Sequence, residues 1–139
     1  MKAAYLALFV LISGAVLFSG CVSSSSQNTI QDVLNTQCEA IKNEDVDLYL
    51  TTLTGDEQGI KFLGSLLNAS FALMDFTDCK ATVVDIINQT DNETFARIKV
   101  EIKYKAFGFE GSNSTESMTH FVKKDGKWYQ FVSGFYKTF

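Results

Sequence analysis

The residues in this chain whose chemistry stands out are few. There are three cysteines, Cys21, Cys38 and Cys79, and a single histidine, His120. A thiolate is a nucleophile that accepts an acyl or alkyl group, and two thiols in an oxidising compartment pair. An imidazole or a carboxylate shielded from water moves protons near neutral pH. The carboxylate that invites this reading is Asp85, set in the apolar stretch Val83-Val84-Asp85-Ile86-Ile87, where strict alternation puts it on one face with Val83 and Ile87. A metal centre needs more ligands than one histidine and two pairable cysteines supply, so none is expected. No glycine-rich phosphate loop is present, and no cofactor is expected.

The surroundings of Cys21 set its chemistry. Lys2 is followed by a nearly unbroken apolar run from Ala3 to Phe18, then Ser19-Gly20-Cys21 and the polar string Ser23-Ser24-Ser25-Ser26-Gln27-Asn28. A charged start, an apolar segment and a small-residue pair are the parts of an export signal. Leu17-Phe18-Ser19-Gly20-Cys21 resembles the lipobox of prokaryotic lipoproteins. That resemblance implies cleavage after residue 20, a diacylglyceryl group on Cys21 and a domain held at the outer face of the cytoplasmic membrane. The alternative is an uncleaved transmembrane anchor, since Ala3 to Val22 offers 20 mostly apolar residues, just enough to span a bilayer. The chain then divides into a leader (1–20), a lipidated cysteine with a Ser-rich tether (21–28) and one domain (29–139).

Export also bears on the other thiols. Cys38 and Cys79 are expected to form a disulfide, because two leftover cysteines in a small exported domain usually pair. Four Asn-X-Ser/Thr sequons, at Asn68, Asn88, Asn92 and Asn113, are candidate glycosylation sites, three of them in expected turns. Glycosylated, lipidated surface proteins are familiar in archaea, which makes an archaeal source the natural guess.

The elements that must position these residues follow from periodicity. Ile30, Val33, Leu34, Cys38 and Ile41 recur at helical spacing behind Thr29 as cap, predicting a helix over 29–43. Asp45 caps a second, short helix through Leu53. Thr54-Gly55-Asp56 breaks it. Ile60, Leu63, Leu67, Phe71 and Met74, widened by Phe62, Leu66 and Leu73, predict a third helix, expected to be the most buried. Past Asp78 the period changes to two. Lys80–Asn88 is rich in β-branched residues. Ala96, Ile98, Val100, Ile102 and Tyr104 alternate with Arg97, Lys99, Glu101, Lys103 and Lys105, as a strand with one face buried does. Met118–Lys124 and Lys127–Phe135 follow, joined by the hairpin signal Asp125-Gly126. Helices first and a four-stranded antiparallel meander after them give an α+β domain.

Two stretches carry a family resemblance. Ala40–Leu50, with its Asn43-Glu44-Asp45 corner, and Phe121–Tyr129, with its lysines, Asp-Gly turn and Trp128, are similar to the first helical corner and closing hairpin of the nuclear-transport-factor-2-like superfamily (SnoaL-like and cystatin-like among its names). Glu44 stands where that superfamily usually has glycine. The resemblance implies a cone of curved sheet wrapped on helices, often with an apolar pocket at the wide end. Its members include isomerases, dehydratases, ligand binders and interaction domains, so fold alone does not choose among them. In such a cone, Tyr49, Phe62, Phe71, Tyr104, His120 and Trp128 (with Phe131) are candidates to line a pocket for a small apolar ligand.

Charge gives a second candidate surface. Residues 29–93 hold twelve acids against Lys42, Lys61 and Lys80, whereas residues 94–139 hold four acids against eight basic residues. Arg97, Lys99, Lys103 and Lys105 therefore form a candidate contact face for anionic headgroups or an acidic envelope protein. Nucleic acid is not an expected partner for an exported chain of pI 4.9. The reading that results is a membrane-tethered binding or interaction module. The alternatives are an isomerase or dehydratase using the cone pocket, and a structural envelope lipoprotein.

Overall fold

A computed structural model describes residues 29–134 of the chain. The leader, Cys21 and the Ser-rich tether lie outside the described residues. The first helix, α1 (Ile30–Lys42), starts on a capping box. The Thr29 hydroxyl accepts from the Asp32 backbone N–H at 3.1 Å, and the Asp32 carboxylate accepts from the Thr29 N–H at 2.8 Å. The Asp45 side chain alone caps α2 (Val46–Leu50), accepting from Leu48 N–H at 3.0 Å. Between them Glu44 adopts φ 55°, the left-handed conformation that favours glycine, and this accounts for the glycine usual at that corner.

The chain then enters β1 (Leu53–Gly55), α3 (Glu57–Leu73), β2 (Asp75–Gln89), β3 (Glu93–Ala106), β4 (Phe109–Lys124) and β5 (Lys127–Val132). The sheet has five strands in the order β1-β5-β4-β3-β2, rather than the four expected. The extra strand takes Leu53 from the expected second helix, which ends at Leu50, and Thr54-Gly55 from the stretch expected to break it. It runs parallel to β5, with Thr54 opposite Phe131. Gly55 makes the approach feasible, since at φ 122° a Cβ there would lie 2.3 Å from the Val132 carbonyl oxygen. β4 begins at Phe109, well before Met118, so Asn113 sits within a strand and not in a turn. Asn88 likewise falls inside β2, which leaves Asn92 as the sequon in the connecting turn.

The core forms where α1 lies on the sheet. Val33, Leu34 and Cys38 pack with Cys79, Ala81, Ala96, Ile98, Phe121 and Trp128. Ala40, Ala96 and Phe121 are completely buried. Cys38 and Cys79 are joined by the expected disulfide, with Cα atoms 5.2 Å apart. It fastens α1 to β2 across a sequence separation of 41. Beside it, the Gln31 side chain donates to Ala81 O at 2.8 Å and accepts from Val83 N–H at 3.4 Å. β2 is the sheet edge, and an amide side chain here satisfies backbone groups that would otherwise offer a template to another strand.

The third helix departs from expectation. Its buried residues are Gly59 and Gly64, while Phe62, Leu66 and Leu73 are 52%, 47% and 61% exposed. Its apolar character reflects composition on both sides of the helix. Within the fold it meets α2, β1 and β2, and at Gly59 the Val132 side chain of β5.

Candidate functional site

The register fixes which side of the sheet each candidate occupies. Strand residues directly opposite one another share a face, and neighbours along a strand alternate. On β3 the helix-facing residues are Thr94, Ala96, Ile98, Val100, Ile102 and Tyr104. Their β4 partners are Phe121, Thr119, Ser117, Thr115, Asn113 and Gly111. No carboxylate or imidazole stands among these twelve positions.

Asp85 and His120 both occupy the outer side. A break in register between Val83 and Asp85 shifts the strand by one residue, so that Asp85 pairs with Arg97 instead of following Val83 into the interior. Asp85 is exposed. His120 pairs with Phe95, one step out of phase with buried Phe121. This corrects its place among pocket-lining candidates. Its ring stacks on Phe95 with centroids 4.2 Å apart and planes 8° from parallel, and Phe131 leans on it at 5.0 Å. Its Nε2 is buried, lacks a hydrogen-bond partner among the described residues and lies 4.0 Å from the Glu93 carboxylate.

The remaining pocket candidates do not converge. Trp128 belongs to the core beside α1, with the Lys123 ammonium 5.7 Å from its ring centre. Phe62 faces outward on α3. Phe71 meets Phe76 edge-on at 5.6 Å, next to the row in which Phe76 pairs with Tyr104 and Tyr104 with Gly111. Tyr49 sits on α2, and burial pushes its hydroxyl above the usual tyrosine range. The helical period selects residues that want burial but does not say which neighbour buries them.

The outer side carries the charged candidates, and the register changes their meaning. Arg97 stands opposite Asp85, Lys99 opposite Glu116, Lys103 opposite Asp78, and Lys105 between Asp75 and Glu110. Lys99 reaches Glu101 at 3.5 Å and Lys105 reaches Glu110 at 3.4 Å. The face expected to be basic is an alternation of charges. Acids remote in sequence return to it on β2 and β4. Two shallow hollows adjoin Lys103. One is lined by Thr77, Tyr104, Glu110, Gly111 and Ser112, the other by Asp78, Lys80, Glu101, Ser112 and Ser114. Such a surface suits a polar contact whose charges match its pattern, more than attraction by a net field.

Three polar residues are buried among the described residues, Gln37, Thr52 and Thr94, and the sequence pattern singles out none of them. Gln37 lies on the apolar stripe of α1 and is 6% exposed. Its amide donates to Thr52 Oγ1 at 3.0 Å and to Gln130 Oε1 at 2.8 Å, while the Thr52 hydroxyl donates to Tyr49 O at 2.6 Å. This network locks the helical corner to β1 and β5. The signal for it was a glutamine at a stripe position, where a polar residue implies a buried partner. All four sequon asparagines are exposed, but Thr94 of the Asn92 sequon is wholly buried.

Known structures share this architecture. A ketosteroid isomerase-like protein from Erwinia carotovora atroseptica superposes with a TM-score of 0.58 at 16% identity, covering 75% of this chain and 92% of that one. A protein from Novosphingobium aromaticivorans, described as a candidate scytalone dehydratase, gives 0.58 at 12% identity, with 75% and 78% covered. An NTF-2 like protein of unknown function from Shewanella oneidensis gives 0.52 at 14% identity, with 76% and 96% covered. At these identities the likeness shows the nuclear-transport-factor-2-like fold and nothing of activity. No curated protein matches the sequence. The family model for the C-terminal domain of the anti-sigma-I factor RsgI9 matches residues 32–133, most of the described domain, and the chain belongs to that family.

Proposed function

We propose that this protein is an extracytoplasmic binding or interaction module, held at the outer face of the cytoplasmic membrane by a lipid on Cys21. One observation carries the binding part. The helix-facing positions of β3 and β4, where a proton-transfer enzyme of this fold would place its acid or base, hold only apolar, hydroxyl, amide and glycine residues. Asp85 and His120, the groups able to move a proton, face the other way. A domain family named for part of an anti-sigma factor also fits a module that binds rather than one that turns over substrate. The tether rests on the Ser19-Gly20-Cys21 junction after the apolar run.

Two measurements test this reading. Mass spectrometry of membrane-extracted protein is expected to find residues 1–20 removed and a lipid on Cys21; intact Met1 on the membrane-bound form would replace the lipid with a plain anchor. A photo-crosslinking side chain at Tyr104 or at Ser114, on opposite sides of the sheet, is expected to capture an envelope component in cells from one of the two positions. Adducts from neither would remove the interaction reading.

A further inference from the structure

The β3–β4 hairpin ends in Ala106-Phe107-Gly108-Phe109. Phe107 and Phe109 are 84% and 78% exposed, the two most exposed large apolar side chains among the described residues. Phe107 has φ 51° and Gly108 has φ 80°. This is the left-handed pair of a two-residue turn, for which Asn-Gly is the favoured sequence. A bulky aromatic residue is poorly suited to φ > 0 and gains no packing here to offset the strain. The other hairpin with such a turn uses Asp125-Gly126, in keeping with the rule. A strained, solvent-facing phenylalanine in a turn is an outlier from which function is a fair inference.

We propose that this hairpin tip inserts into the membrane surface, with Phe107 and Phe109 entering the boundary between headgroups and acyl chains. Three observations favour lipid over a protein partner. First, the tip protrudes: a Cβ added at Gly108 would meet nothing within 4 Å, so the turn itself stands in open space. A fluid surface needs no matching pocket, whereas a protein partner does. Second, Leu73, 61% exposed, ends α3 at the same end of the sheet, because Asp75 pairs with Lys105 just before the turn. Several apolar side chains thus gather at one extremity. Third, no basic field gathers at the tip: Lys105 stands between Asp75 and Glu110, and Lys103 opposite Asp78, which leaves the tip with one more acid than base. The contact is therefore apolar and insensitive to salt, which separates it from an electrostatic contact through the outer sheet face.

The test uses the full chain reconstituted in vesicles, held by whichever N-terminal anchor it carries, with brominated lipids as quencher. A Phe107→Trp variant is compared with Ser114→Trp on the outer face of β4, the emission of Trp128 being subtracted with the parent chain. The added tryptophan at 107 is expected to be quenched at least severalfold more strongly than that at 114, equally at low and high salt. Adding Phe109→Ser is expected to weaken that quenching. Phe107→Asn supplies the independent control on folding. It suits the turn and is expected to raise the melting temperature, while the same chain with tryptophan at 109 (Phe109→Trp) loses quenching. Equal quenching at 107 and 114, quenching that disappears at high salt, or burial of the tip only after an envelope protein is added would each overturn insertion. Flotation of the chain with the vesicles reports on the anchor separately, so a failed tether and a failed tip are told apart.

Discussion

His120 lies flat against Phe95, ring centroids 4.2 Å apart, on the side of the sheet that the helices leave bare. The pair joins β3 to β4 with each aromatic directly opposite the other. Offset aromatic pairs contribute about 0.5–1.5 kcal/mol beyond the area they bury. The imidazole brings a cost that phenylalanine would not, because its Nε2 is buried with no hydrogen-bond partner among the described residues. His120→Phe keeps the stack and removes the unpaired nitrogen, so chemical denaturation should show a gain of about 1 kcal/mol. His120→Ala should lose about 1–2 kcal/mol. A loss on His120→Phe as large as that on His120→Ala would mean that the nitrogen is used by something outside the described residues.

The Asn43-Glu44-Asp45 corner carries a comparable strain. A non-glycine residue at φ 55° costs roughly 1–2 kcal/mol, and glycine returns about 0.5–1 kcal/mol of that as entropy of the unfolded chain. Glu44 is exposed and joins neither salt bridge nor side-chain hydrogen bond among the described residues. Glu44→Gly should therefore stabilise the domain by about 0.5–1 kcal/mol, read as a rise in melting temperature of a few degrees. A fall would show that the Glu44 side chain contributes more than its backbone costs.

What the sequence shows of this fold depends on the range of each signal. The two-residue alternation of β3 and the Asp125-Gly126 turn are local, and both strand and turn stand where expected. The Cys38–Cys79 bond is long-range, but a chain with three cysteines leaves few pairings. β1 is three residues long and pairs with β5 from the far end of the domain, so no alternation reveals it. A single bulge between Val83 and Asp85 reverses the side on which Asp85 lies, and periodicity cannot count an extra residue. The charge pattern of the outer face was hidden for a related reason. Lys99 and Glu116 meet only through the β3–β4 register, and composition by segment assigns them to the same basic half.

The disulfide should carry a large share of stability. A crosslink spanning 41 residues contributes about 4 kcal/mol through the unfolded chain in the loop-entropy treatment. Its ends lie in the main core, with Cys38 and Cys79 both buried. Cys38→Ser/Cys79→Ser, or reduction under denaturant, should lower unfolding free energy by about 3–4 kcal/mol. Alkylation before reduction should label neither cysteine in exported protein. Two labelled thiols, or a loss below about 1 kcal/mol, would show that the bond is not formed or not needed in the mature domain.

Tyr104 and Gly111 face each other across β3 and β4, and the tyrosine ring occupies the space that a side chain at 111 would fill. A Cβ on Gly111 would lie 2.6 Å from Cζ and 2.7 Å from the hydroxyl oxygen of Tyr104. Glycine in a strand interior is otherwise unfavourable, since it orders more backbone and packs nothing. Here the tyrosine supplies the missing cover, and that explains a glycine at a position where β4 has no turn or bulge against β3. Gly111→Ala should push the ring aside and cost about 1–2 kcal/mol. Tyr104→Ala removes the obstacle, and in that background Gly111→Ala should be neutral or stabilising, because alanine orders the strand at lower entropic cost than glycine. The double-mutant cycle should thus return a coupling of about 1–2 kcal/mol with a change of sign for the glycine substitution. Additive effects within about 0.3 kcal/mol would mean that the ring does not rest on Gly111 in solution.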